Sequence, residues 1–108
     1  MNQLLETLSA KELYEELSQD TQLLVLDVRE PWEQELRPFK NALCIPLGML
    51  GERLEEIDHE RSIITLCLSG RRSSSACHLL KQAGFARVKN LEGGINAWDA
   101  FLEAHDLE

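Results

Sequence analysis

The chain has 108 residues, a formal net charge of −8, 44 % hydrophobic content and three cysteines. That length fits one domain over residues 1–108 and is too short for two, and no apolar run approaches the roughly 20 residues of a membrane span. Residues 1–60 carry five Lys/Arg against fourteen Asp/Glu, and residues 61–108 carry six against five, a balance that argues against nucleic acid, which wants a basic face.

Met1 to Glu6 lacks the charged-then-apolar pattern of a secretory signal. An odd cysteine count with no C-x-x-C spacing argues against a disulfide framework and predicts a reducing compartment, the cytoplasm.

Ser9 with Glu12 reads as a capping box that opens a helix through about Ser18. Leu13 and Leu17 face the core, and Asp20 and Thr21 end the helix. The run Leu23–Leu26 predicts a strand covered on both faces, as in a parallel sheet. It closes on Asp27-Val28-Arg29-Glu30, where Pro31 starts a turn or a new helix, with Trp32–Leu36 forming one helical turn or two. Arg37–Asn41 is a loop and Ala42–Ile45 a short strand stopped by Pro46. Leu47, Leu50, Leu54 and Ile57 make one apolar stripe and predict a helix over 47–57. After a polar connector, Ile63–Leu66 is a strand and Ser73–Ala83 a helix that buries Ala76, Leu79, Leu80 and Ala83, with Gly84 at its C-terminal turn. Val88–Leu91 is the next strand. Gly93-Gly94 then turns into a helix from Ile95 to about Ala104, with Ile95, Trp98 and Phe101 or Leu102 inward. Strands alternating with helices predict a layered α/β domain on a mainly parallel sheet.

Ligands of such sheets gather at the carboxyl ends of the strands. Cys67 stands at one such end and Asp27 and Arg29 at another. Cys67 is followed by Leu68-Ser69-Gly70-Arg71-Arg72-Ser73 and then by a helix. Loop amides, a helix N-terminus and neighbouring arginines all favour the thiolate, which marks Cys67 as a nucleophile rather than a buried structural thiol. Residues 68–73 are the candidate anion-binding segment, with Arg72 as anion binder and loop brace, and with Ser69 and Ser73 offering hydroxyls. Arg71 fits binding and solvent exposure equally. Asp27 and Arg29 fit two readings equally, an ion pair that supports the loop or caps for local backbone at the strand end. Cys44 reads as inert and partly buried, and Cys77 as core. His59, His78 and His105 show no metal spacing, and nothing calls for a metal or an organic cofactor. The implied substrate is small and anionic.

Four segments together resemble the single-domain rhodaneses, a sulfurtransferase family. Leu26-Asp27-Val28-Arg29-Glu30 is similar to the family's strand-end D-V-R-E, and Ala42–Pro46 with Leu47-Gly48 to its A-x-x-I-P-L-G. Residues 67–73 fit C-x-x-G-x-R-S, and residues 91–98 fit L-x-G-G-x-x-A-W. The resemblance implies a five-stranded parallel sheet with helices on both faces. It also implies that Cys67 takes sulfane sulfur as a persulfide and hands it to cyanide or a thiol, the donor being thiosulfate, a small persulfide or another protein's persulfide. Arg37-Pro38-Phe39-Lys40-Asn41-Ala42 departs from the family's G-H-I-x-G-A, which leaves the shape of that loop and the substrate preference open. Two other classes stand beside sulfur transfer. One is a non-catalytic rhodanese-like binding or sensing module, a kind that often lacks the cysteine. The other is a cysteine phosphatase, a group that spaces its cysteine and arginine by five residues where this chain has four.

Overall fold

The computed structural model describes residues 5–20 and 22–107. Thr21, expected to help end the first helix, lies outside them, as do Met1–Leu4 and Glu108. The elements alternate as expected: β1 (Thr7–Leu8), α1 (Ala10–Gln19), β2 (Leu24–Asp27), α2 (Pro31–Leu36), β3 (Leu43–Cys44), α3 (Leu47–Leu50), a 3-10 turn (Leu54–Glu56), β4 (Ile63–Leu66), α4 (Arg71–Gln82), β5 (Val88–Leu91) and α5 (Gly94–Ala104). The five strands form one sheet in the order β1-β5-β4-β2-β3, and every pairing is parallel.

Both faces are covered, so Leu24–Leu26 of β2 and Ile63-Ile64 of β4 read as apolar runs. On one face Leu24, Leu26, Ile63 and Val88 pack with Ala76, Cys77 and Leu80 of α4 and with Leu50 and Ile57. On the other, Val25, Ile64, Leu66 and Leu91 pack with Leu13 of α1 and Ile95 of α5. The chain leaves β2 for the β3 edge and returns on its other side as β4. The switch point of the sheet therefore lies between the carboxyl ends of β2 and β4, where Asp27 and Cys67 stand.

The Ser9–Glu12 capping box forms, each side chain meeting the other's amide, at 3.1 and 2.8 Å. Pro31 takes the first position of α2, where its missing N–H is not needed.

Several expectations need correction. Residues 47–57 do not form one helix but split into α3 and the 3-10 turn. Gly48 and Gly51 weaken a continuous helix by about 1 kcal/mol each, and two short turns still aim the apolar stripe inward, with Leu50 and Ile57 buried. The helix expected from Ser73 starts at Arg71, so both arginines sit in its first turn. It also ends at Gln82, which makes Ala83 an exposed cap rather than a core residue. Trp98, Phe101 and Leu102 are half-buried, and Cys44 is exposed on the edge strand β3 rather than partly buried.

Candidate active site

Cys67 follows β4 directly and is 1 % exposed. Burial alone would also describe Cys77, which is 0 % exposed and whose thiol is pushed up by desolvation. The two differ in what surrounds the sulfur. The Gly70 amide donates to Cys67 Sγ at 3.1 Å, and Ser73 Oγ lies 3.3 Å from it. Burial pushes the Cys67 thiol up. The Ser73 hydroxyl and the amides of Ser73, Gly70 and Ser69 pull it down by more, leaving it below the ordinary thiol value.

The amides face the sulfur because the loop's carbonyls are occupied elsewhere. Ile95 N–H donates to the Cys67 carbonyl at 2.8 Å and Asn96 N–H to the Leu68 carbonyl at 3.2 Å. The Gly70 carbonyl takes Ser74 N–H at 3.1 Å and Asn90 Nδ2 at 3.0 Å. The first amides of α5 thus hold the backs of the loop peptides, and the opposite edges turn inward. This contact demands Gly94: a Cβ there would lie 2.5 Å from both the Cys67 and Leu68 carbonyl oxygens. Gly70 turns the loop into α4 with φ +101°, a conformation that L side chains rarely adopt.

The hydrogen bonds of the Arg72 guanidinium go to a carboxylate and not to the sulfur. Arg72 makes a fork-to-fork pair with Glu33 of α2, at 2.6 and 2.8 Å. Two arginines in the first turn of a helix run against its dipole, and Glu33 supplies the missing negative charge. Arg71 is exposed and makes no ion pair among the described residues. Leu68 and Ser69 are exposed, and Ser73 is buried.

Asp27 and Arg29 form a buried ion pair, 2.7 Å between Arg29 Nη2 and Asp27 Oδ2, with both side chains 1 % exposed. Arg29 also donates to the Glu33 carbonyl at 3.3 Å and the Arg37 carbonyl at 2.7 Å, which fastens the end of α2. A chain of contacts therefore runs from Asp27 through Arg29 and α2 to Glu33, Arg72 and the start of α4.

Glu33, Asn90 and Thr65 were not singled out from the sequence. Asn90 carried a weak signal, a polar residue within the strand expected over Val88–Leu91. Glu33 carried a weaker one, a carboxylate three residues after Glu30 at a helix start. The atypical loop packs onto α5: Arg37 pairs with Asp99, and the Phe39 and Trp98 rings lie 5.0 Å apart. Asn41, where the family motif has glycine, adopts φ +64°, a region asparagine tolerates better than most residues. Cys44 is held above the ordinary thiol value by partial desolvation and by the Asp27 carboxylate.

The Rhodanese-like domain model matches residues 9–101. The chain belongs to this family. A sulfurtransferase of Allochromatium vinosum is 36 % identical over 91 residues, covering 84 % of this chain and 85 % of the relative. A putative sulfurtransferase of Bacillus subtilis, YtwF, is 34 % identical over 95 residues, covering 88 % and 91 %. Among solved structures, a rhodanese-related protein of Thermoplasma volcanium superposes with a TM-score of 0.81 at 31 % identity, covering 89 % of this chain and 92 % of that one. The family fits the strand order, and the relatives' names support sulfur transfer as the general activity of this rhodanese-like chain.

The Arg72 guanidinium holds the Glu33 carboxyl down at about 2, against an ordinary value of 4.5. A carboxylate depressed by folding stabilises the fold fully above its unfolded value, and the contribution is lost as pH falls toward the folded one. Stability should therefore drop between pH 4.5 and about 2. Arg72 is 37 % exposed, so screening reduces this contribution to the order of 1 kcal/mol. Urea midpoints measured down this range should fall less in Arg72→Ala than in the native chain; equal falls would refute the assignment.

Proposed function

We propose that this chain moves sulfane sulfur through a Cys67 persulfide, from thiosulfate or a persulfide donor to cyanide or a thiol, with residues 1–108 acting as one domain. The observation that carries the reading is the ring of amide and hydroxyl donors around one buried sulfur. With thiosulfate, the Cys67 thiolate attacks the outer sulfur. The S–S bond breaks, and sulfite leaves with its electron pair. The new Cys67–S–S⁻ carries its charge among the loop amides, which stabilise it as oxyanion-type donors do. Cyanide then attacks the outer sulfur, thiocyanate leaves, and the thiolate returns. No metal or organic cofactor enters these steps.

A cysteine phosphatase is a weaker reading, because the loop arginine is taken up in a fork-to-fork pair with Glu33. A non-catalytic module leaves the lowered thiol unexplained. The reducing cytoplasm suits three free cysteines. Small donors are favoured, since Cys67 is recessed.

Among the described residues four large apolar side chains stay exposed, Trp32, Leu36, Met49 and Leu68. Each belongs to a segment that leaves the carboxyl end of a strand, Trp32 and Leu36 in α2 after β2, Met49 in α3 after β3 and Leu68 directly after β4 and Cys67. This grouping supports a protein among the sulfur partners, since exposed apolar clusters mark interaction sites.

Thiocyanate formation from thiosulfate and cyanide tests the reading. Turnover is expected with thiosulfate or with a small persulfide, and no product from either would overturn it. With a reduced protein thiol as acceptor, Trp32→Ser together with Leu36→Ser should slow transfer while leaving cyanide turnover unchanged. Equal slowing with both acceptors would remove the case for a protein partner.

A further inference from the structure

Behind the sulfur lies a buried polar chain that the steps above do not use. Asn90 of β5 is 5 % exposed and stands beside Thr65 of β4 in the parallel register. Its Nδ2 donates to the Gly70 carbonyl at 3.0 Å. Its Oδ1 lies 2.5 Å from Ser73 Oγ and 3.2 Å from Thr65 Oγ1. The amide has only one satisfactory orientation, because the reverse would set Oδ1 against the Gly70 carbonyl oxygen.

We propose that Asn90 is a positioning residue for sulfur transfer: it latches the cysteine loop through Gly70 and offers the Ser73 hydroxyl a second acceptor, so that this hydroxyl follows the charge on Cys67. The proposal deepens the reading of Cys67 as sulfur carrier and rests on it.

The Ser73 hydroxyl has one proton and two acceptors within reach, Asn90 Oδ1 and Cys67 Sγ. While Cys67 is a thiol, its S–H donates to Ser73 Oγ and Ser73 donates to Asn90. Once the thiol proton leaves to solvent, the hydroxyl turns and donates to the charged sulfur. Asn90 Oδ1 then keeps the Thr65 hydroxyl, so no buried acceptor is left bare. After a sulfur atom is loaded, the charge moves to the outer sulfur and the inner one no longer draws the proton. The hydroxyl swings back to Asn90. Each state pairs its polar groups by rotating one hydroxyl, without a shift of the loop.

The test is the pH dependence of iodoacetamide alkylation, read by mass spectrometry on the peptide that carries Cys67 in the full-length protein. In Asn90→Asp one carboxylate oxygen replaces Nδ2 and removes the donor to the Gly70 carbonyl. The other holds the Ser73 proton and adds a like charge, so the alkylation midpoint should rise by about one pH unit or more. With Ser73→Ala already present, the same change should raise it by less than half as much. A midpoint unmoved in folded Asn90→Asp would overturn the proposal. So would a rise of equal size with and without Ser73, which would mean charge acting alone. Thr65→Val, close to isosteric, is the second variant and covers failure of Asn90→Asp to fold. It strips Oδ1 of its standby donor, so the midpoint should rise, and a native midpoint would count against the mechanism. Sulfur loading measured on the same samples separates the two ideas. Normal loading with unmoved midpoints refutes only the role of Asn90, whereas no loading in the native chain refutes the carrier reading beneath it.

Discussion

Cys67→Ser is expected to abolish thiocyanate formation, with a fall of at least about a thousandfold, the scale on which a nucleophile acting as part of a unit is lost. The hydroxyl of serine stays protonated at neutral pH in the same ring of donors and cannot hold sulfane sulfur. The fold should survive, because Ser73 and the Gly70 amide still find an oxygen to bind. Cys44→Ser serves as the comparison. Its thiol is exposed but sits above the ordinary value, and its loss should leave the rate unchanged. If Cys67→Ser retained native activity, or Cys44→Ser lost it, the sulfur would be travelling through the wrong residue.

Arg29→Met should have the largest effect on stability. It strips the ion-pair partner Arg29 from Asp27, which is 0 % exposed. Breaking a buried ion pair by removing one member costs about 3–5 kcal/mol, because an uncompensated charge remains inside. The Glu33 and Arg37 carbonyls lose their donor as well, so α2 should loosen and carry Glu33 away from Arg72. Urea denaturation measures the first effect. The second should appear as a lower kcat/KM in the fraction that remains folded. Asp27→Leu added to Arg29→Met should restore part of the stability, since an apolar pair of similar volume avoids the buried charge. A single-variant loss below about 1 kcal/mol would show that the pair is not the anchor of this end of the sheet.

What the sequence made legible was largely local in origin. The Ser9–Glu12 box acts within one turn, and the strand at 63–66 is a short apolar run ended by a cysteine and a glycine-containing loop. Both could be read without knowing what lies across the fold. The role of Arg72 could not, because its partner is 39 residues away and depends on how α2 leans on α4. Gly93-Gly94 could be read as a turn. The reason for Gly94, two carbonyl oxygens 2.5 Å from its missing Cβ, belongs to the packing of α5 under the cysteine loop. β1 escaped notice because a strand of two residues has no periodicity to detect. The apolar stripe over 47–57 misled for the opposite reason. Its spacing is helical, yet two glycines let separate turns present the same side chains. Burial of Cys67 was also not foreseen: the sulfur is recessed, and the hydrogen bonds it receives, rather than its exposure, distinguish it from Cys77.

The central claim is that one ionised sulfur, held by loop amides, carries the transferred atom. Mass spectrometry of the native protein after incubation with thiosulfate and removal of excess donor tests this most directly. The account predicts one added sulfur atom on the peptide that contains Cys67, none on those that contain Cys44 or Cys77, and its release as thiocyanate when cyanide is added. An unmodified Cys67 peptide, or added sulfur confined to Cys44, would contradict it.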